Sequence, residues 1–161
     1  MRTRGSARVL LLDEQDRALM IKVRDDAIVV PGSPVPPEFW VTVGGGVEWG
    51  ESYEEAVRRE VFEETGIGDL EFGPCLWKLE REVLWSGEQV RVIEHGFLGR
   101  VSNASANFDH VEPAERLVFR EHRWWSLAEM TAAHRETFRP PGLPELFTDV
   151  LNGDLHSPIT L

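Results

Sequence analysis

What this sequence has little of narrows it first. Of its 161 residues one is a cysteine, Cys75, so no internal disulfide can form. A reducing compartment, the cytoplasm, is the simplest expectation, and the thiol reads as a small buried hydrophobe rather than a nucleophile. Long apolar runs are missing. The start, Met1-Arg2-Thr3-Arg4-Gly5-Ser6, is basic, yet the run Val9-Leu10-Leu11-Leu12 stops at Asp13. That is too short for the core of a secretion signal or for a membrane span. Bases are scarce: 17 Lys and Arg stand against 28 Asp and Glu, a net charge of −11. A broad nucleic-acid-binding surface needs clustered Lys and Arg and is not expected here. The five histidines, His95, His110, His122, His134 and His156, show no metal-ligand spacing and receive no role. There is no internal repeat, low-complexity segment or sign of a second domain. The expectation is one domain over residues 1–161, long enough to bury a real core.

What is present is the composition of a soluble globular chain, 42% apolar and 28% charged. Residues 7–12 and 18–23 are apolar runs joined by Asp13-Glu14-Gln15-Asp16-Arg17, which predicts a hairpin. Between Asp25 and Glu38 the prolines Pro31, Pro34, Pro36 and Pro37 break regular structure. This segment reads as a connecting loop near a site, ahead of a proline-rich docking peptide. Phe39-Trp40-Val41-Thr42-Val43 is a short strand. Later strands are expected over residues 70–80, 90–101 and 120–125, the first two parted by the turn signal Ser86-Gly87-Glu88. Residues 102–115 show no period, and aperiodic stretches of that length tend to be functional. Ser126 and Glu129 form a capping box opening a short helix. Leu143, Leu146, Phe147, Val150 and Leu151 make an apolar stripe at helical spacing before Asn152-Gly153. The order suggests an α/β fold with a mixed β-sheet covered by helices on both faces.

The remaining stretch, residues 45–67, organises the chain. Gly44, Gly45 and Gly46 stand in a row and Gly50 follows, giving the backbone freedom to approach a ligand. A helix comes next, with Ser52 as N-cap, Glu55 completing a capping box and Gly66 as the stop. Glu60, Glu63 and Glu64 fall at i, i+3 and i+4 on that helix. Between Glu48 and Glu64 there are seven acids against two bases, Arg58 and Arg59. Like charges at this spacing cost roughly 0.2–0.5 kcal/mol per pair. They also lie in the half of the helix where the dipole disfavours anions. A sequence that accepts both penalties holds something positive there, and hard oxygen ligands select Mg²⁺, Mn²⁺ or Ca²⁺ over zinc.

Gly45, then Glu51, then Arg59-Glu60-Val61-Phe62-Glu63-Glu64-Thr65-Gly66-Ile67 resembles a complete Nudix box, from Gly45 to Ile67. Val43 stands where many members of the family carry a proline. The resemblance implies a Nudix-type α/β/α sandwich, hydrolysing a pyrophosphate bond in a nucleoside diphosphate linked to another group. It implies Mg²⁺ or Mn²⁺ as cofactor, held by Glu60, Glu63 and Glu64 with the Gly44 carbonyl. Glu51 would support the loop, and Arg59 would hold a glutamate by ion pairing. Glu60 or Glu63 is a candidate base; Glu94, Glu112, Glu115 and Glu121 are outside candidates, with Glu112 and Glu115 favoured.

The expected partner is a small nucleotide-type molecule, and a homodimer stays open. Phe39, Trp40 or Trp49 could stack on a base and Arg24 could touch phosphate, with Lys22 and Arg91 as further candidates. No proline lies between Pro74 and Pro113, and the sole tyrosine, Tyr53, is inside the box. Both absences count against the subclasses acting on ADP-ribose and on dinucleoside polyphosphates. The alternative from another class is a nucleotide-sensing module of the same fold without catalysis; the intact carboxylates favour the enzyme.

Overall fold

The structure is a computed structural model and describes residues 1–24, 28–29, 38–108, 119–155 and 158–161. The proline-rich segment, Glu112, Glu115, His110 and His156 lie outside the described residues. The first two strands are β1, Arg2–Leu12, and β2, Ala18–Val23, antiparallel with Leu12 opposite Ala18. Asp13 drives that turn. Its buried carboxylate accepts the backbone N–H groups of Gln15 and Arg17 and the Arg17 Nε, each at 2.9 Å. This is the backbone-mimicking turn that aspartate favours.

After β3, Ile28–Val29, strand β4, Phe39–Gly46, runs along two neighbours in turn. Its first half pairs with β2 and its glycine end with β1, placing Gly44 opposite Arg8 and Gly46 opposite Ser6. Helix α1, Tyr53–Thr65, follows. Strands β5, Glu71–Trp85, and β6, Glu88–Arg100, form a long hairpin. Its two-residue loop has Ser86 at φ 49° and Gly87 at φ 82°. Positive φ at both positions matches the right-handed twist of the flanking strands. The hairpin is longer than the sequence suggested, because Arg81-Glu82-Val83-Leu84-Trp85 continue β5 past Glu80 in pairing with β6. Strand β6 lies parallel to β1 along its whole length, from Arg2 opposite Val90 to Leu12 opposite Arg100.

Strand β7, Phe119–Trp125, pairs with the free side of β2. Helix α2, Leu127–Ala132, opens with the capping box of Ser126 and Glu129, both arms formed. Strand β8, Phe138–Arg139, runs parallel to β4; helix α3, Leu143–Asn152, and strand β9, Ile159–Thr160, complete the chain. The described strands form one nine-stranded mixed sheet.

Alternation along β1 builds both cores. Ala7, Val9 and Leu11 face α1, where they meet Ala56, Val57, Val61 and Val43. Leu10 and Leu12 face the other way, against Met20, Trp40, Trp77, Met130, Leu143, Leu146 and Phe147. A strand buried on both faces needs apolar residues at successive positions, which is what Val9-Leu10-Leu11-Leu12 supplies. Helices therefore cover both faces of the sheet, as expected. Among the described residues no helix is long and apolar enough to cross a membrane.

Candidate active site

The glycine end of β4 and helix α1 meet beside the start of β1. The Ser52 hydroxyl accepts the Glu55 N–H at 3.1 Å, and Gly66, at φ 74°, donates its N–H to the Phe62 carbonyl at 2.8 Å. Glu54 and Glu55 occupy the first turn, where the helix dipole favours acids, and no base occupies the last. Packing of Ala56, Val57 and Val61 thus fixes the direction in which the later glutamates project.

Arg59 is the hub. Its Nε and Nη2 hold the two oxygens of Glu51 at 2.8 and 3.0 Å, a bidentate fork. Nη2 also donates to the Gly46 carbonyl at 2.9 Å. Nη1 reaches Glu60 Oε1 at 3.0 Å and Glu63 Oε2 at 3.3 Å. Glu51 in turn accepts the backbone N–H of Glu48 at 3.0 Å, so one guanidinium ties the loop to the helix. The Arg59 hydrogen bonds, assisted by the Glu48 N–H, hold the Glu51 carboxyl below the usual carboxylate range despite the opposing cost of desolvation. The acceptors around Arg59 raise its own pKa, Glu51 foremost.

Glu60 is 6% exposed. Burial pushes its pKa up, with Arg59 pulling the other way and Glu63 adding to the rise. Gly45 makes the room for it: a Cβ there would collide with Glu60 Oε1. Gly44, at φ 148°, is equally constrained, because a side chain would strike the carbonyl oxygen of Ala7. Gly44 and Gly45 therefore cannot be exchanged independently of the residues packed against them.

The structure brings Glu60 and Glu63 together on Arg59, and Glu64 next to them on α1 meets a histidine. Glu64, 2% exposed, lies with Oε2 2.8 Å from His122 Nε2. The His122 ring stacks on Phe108, with centroids 4.2 Å apart. No histidine was expected in the site. The partial signal in the sequence is alternation, which puts His122 on the same strand face as Trp124, and Trp124 packs in the α1 core.

Several expected roles are corrected or refined by position. Trp40 is 2% exposed, edge-on to Trp125 with its Nε1 donating to Glu136 at 3.0 Å. It is a core residue with no free face for a base, because the apolar stripe it belongs to faces α3. Phe39 is half-buried at the edge of the α1 core, and Arg24 and Trp49 are exposed. Glu94, an outside candidate base, lies buried on the opposite sheet face, accepting from Trp77 Nε1 at 3.0 Å and Ser6 Oγ at 3.3 Å. Glu121 is exposed on β7. The Gly44 carbonyl accepts Arg8 Nη1 at 3.2 Å, which leaves one lone pair available but places a positive charge beside it.

Whether this set suits a divalent cation can be tested on the donors. Among the described residues no three acids, histidines or cysteines converge closely enough to hold an ion as they stand. Glu60 and Glu63 nonetheless already share one cationic partner, the Arg59 Nη1 between them. Hard carboxylate oxygens in excess, one of them buried, fit Mg²⁺ or Mn²⁺ in kind. Beside them opens a pocket of about 600 Å³ lined by Arg2, Arg4, Gly46, Val47, Glu48, Arg59, Glu60 and Glu63. The Arg4 guanidinium is held over the Trp85 ring, 4.0 Å from its centroid.

A mixed sheet between helices, with a glycine-ended strand feeding a glutamate-rich helix, defines an α/β/α sandwich of the Nudix type. The chain belongs to that family: the family model described as NUDIX domain matches residues 2–146. It is 45% identical over 56 residues to nucleoside triphosphatase NudI of Escherichia coli O139:H28 (strain E24377A / ETEC). That match covers 35% of this chain and 36% of the relative, so it spans about a third of that protein's length. Among solved structures, the MutT protein from Methanosarcina mazei Go1 superposes with a TM-score of 0.61 at 24% identity, covering 95% and 96% of the two chains. The E. coli dihydroneopterin triphosphate pyrophosphohydrolase gives 0.63 at 22% identity, covering 94% and 99%. At these identities the likeness establishes the fold. Nudix hydrolases as a family act on pyrophosphate bonds and generally use divalent metal ions.

Proposed function

We propose that this chain is a pyrophosphohydrolase cleaving a nucleoside diphosphate linked to another group, with Mg²⁺ or Mn²⁺ as cofactor. The observation that carries the reading is the pair Glu60 and Glu63 sharing one guanidinium nitrogen at the wall of a pocket that also holds Arg2 and Arg4. Carboxylates on one side and arginines on the other suit a phosphate chain that must be held and neutralised at once. Glu60, Glu63 and Glu64 would hold the cation, with the Gly44 carbonyl as a fourth donor. Bound there, it would offset phosphate charge and orient a water for in-line attack.

Arg59 acts as a positioning residue, fixing Glu60 and Glu63 against the Gly46 carbonyl. Glu60 or Glu63 accepts the water's proton. Phe39 and Arg24 are the proposed contacts to the nucleoside part. The nucleotide-type substrate and the cytoplasm as location belong to the same reading, with the whole chain acting as one domain.

A panel of nucleoside triphosphates, nucleotide sugars and dinucleoside polyphosphates, assayed with Mg²⁺ or Mn²⁺ and again with EDTA, tests this. Metal-dependent release of phosphate, pyrophosphate or a nucleoside monophosphate is expected from at least one class. Binding of nucleotides without turnover of any would instead establish a sensing module.

A further inference from the structure

The three glutamates at the end of α1 are not held alike. Glu60 and Glu63 reach Arg59 Nη1, at 3.0 and 3.3 Å. Glu64 is buried more deeply than either, and its Oε2 lies 2.8 Å from His122 Nε2. Among the described residues that imidazole is the only hydrogen-bond or ion-pair partner of the Glu64 carboxylate. A carboxylate can only accept, so Nε2 carries the proton of this bond. The second oxygen, Oε1, has no donor. A buried carboxylate half matched in this way is costly unless something positive completes it.

The imidazole is itself fixed. Strand β7 carries it on the face of Trp124, which packs in the α1 core. Phe108 stacks on its ring, with centroids 4.2 Å apart and planes 19° from parallel. Next to Phe108, the Asn107 N–H donates to the Thr65 carbonyl at 2.6 Å, one residue beyond Glu64. The end of α1, the segment after β6 and strand β7 thus close around one carboxylate. A hydrogen bond to one oxygen of a ligating group sets the direction in which the other is offered.

We infer that His122 is a positioning residue for Glu64, committing one carboxylate oxygen to the protein and leaving the other for the cation, with Phe108 as the stop behind the ring. Arg59 does this for Glu60 and Glu63, and His122 does it for the glutamate that Arg59 does not hold. That Glu64 meets a cation rests on the hydrolase reading.

Mn²⁺ is titrated onto the full chain without substrate, and the free ion is followed by its EPR signal. Wild type should bind Mn²⁺, and Glu64→Gln should bind it more weakly by about tenfold or more. No binding by wild type, or full affinity in Glu64→Gln, would overturn the ligand set and the role of His122 with it. Given Glu64 as a ligand, His122→Leu should also lose about tenfold or more. His122→Gln should recover most of that loss, because its amide nitrogen stands as many bonds from the backbone as Nε2 and can donate to Glu64. A general distortion of the site would cost as much without the Glu64 charge as with it. Repeated in Glu64→Gln, His122→Leu should therefore change affinity by less than about threefold. Equal losses in both backgrounds, or unchanged affinity in His122→Leu, overturn the positioning role and leave the hydrolase reading standing. If His122→Leu does not fold, Phe108→Leu decides in its place, with a loss of about threefold or more expected only where Glu64 is present. His134→Gln, exposed just past α2, is the control and should bind as wild type does.

Discussion

Helices α1 and α3 end alike and are filled differently. Both close on a left-handed glycine, Gly66 at φ 74° and Gly153 at φ 72°. Helix α3 buries Leu143, Leu146 and Phe147, all apolar. Helix α1 buries Ala56, Val57 and Val61, but Glu60 and Glu64 with them. Apolar groups gain by leaving water, whereas a buried carboxylate must find partners to offset its lost hydration. The contrast separates two duties on opposite faces of one sheet. α3 contributes stability, and α1 gives some up to hold charge where the glycine turn can reach it.

Three variants bear on that contrast. Phe147→Ala should have the largest effect on stability, about 3–5 kcal/mol by urea unfolding, because it opens a cavity beneath α3. Any hydrolysis per folded molecule should be unchanged; a parallel loss of activity would show that the two faces are not separable. Glu64→Gln should do the reverse. The amide keeps the shape but not the charge, so turnover should fall at least a hundredfold, about 2.7 kcal/mol, while the melting temperature stays within a few degrees. Near-normal turnover in the pure variant would remove Glu64 from the ligand set.

Glu60→Gln should give the smallest change in stability, and its size depends on pH. Burial first, opposed by Arg59, holds the folded pKa of Glu60 above its unfolded value. Its contribution is therefore fully present below the ordinary carboxylate range and lost as pH rises through the folded pKa. In metal-free protein the variant should equal wild type in acid and exceed it near neutrality, by about 0.2–0.5 kcal/mol for each like-charge pair relieved. Thermal melting against pH checks this. An advantage that shrinks as pH rises would mean that Arg59 outweighs burial at this site.

Local features were legible because the chain carries them in short spans. The residues 13–17 turn, both helix starts and both glycine stops follow from side chains within four residues of each other. The Arg59 to Glu51 and Glu63 contacts follow from helical spacing and the box. What could not be read were contacts made by pairing. Period 2 tells which face a strand residue takes but not which strand lies beside it. Hence the parallel match of β1 with β6, the meeting of His122 with Glu64, and the row joining Arg4 to Arg81 appear only in the structure. Trp40 shows the same limit from the other side, since an aromatic residue before a glycine turn reads alike whether it lines a pocket or fills a core.

The parallel register of β1 with β6 also sets a clock. Every pair in it joins residues 88 positions apart, from Arg2 with Val90 to Leu12 with Arg100. At about 5–20 residues per second, a ribosome leaves β1 without that neighbour for roughly 4–18 seconds. During that interval Val9-Leu10-Leu11-Leu12 has an open hydrogen-bonding edge, the kind of strand that recruits other chains. The nascent protein is thus most exposed to aggregation between the synthesis of its first strand and its sixth, while helix α1 already waits beside an incomplete sheet.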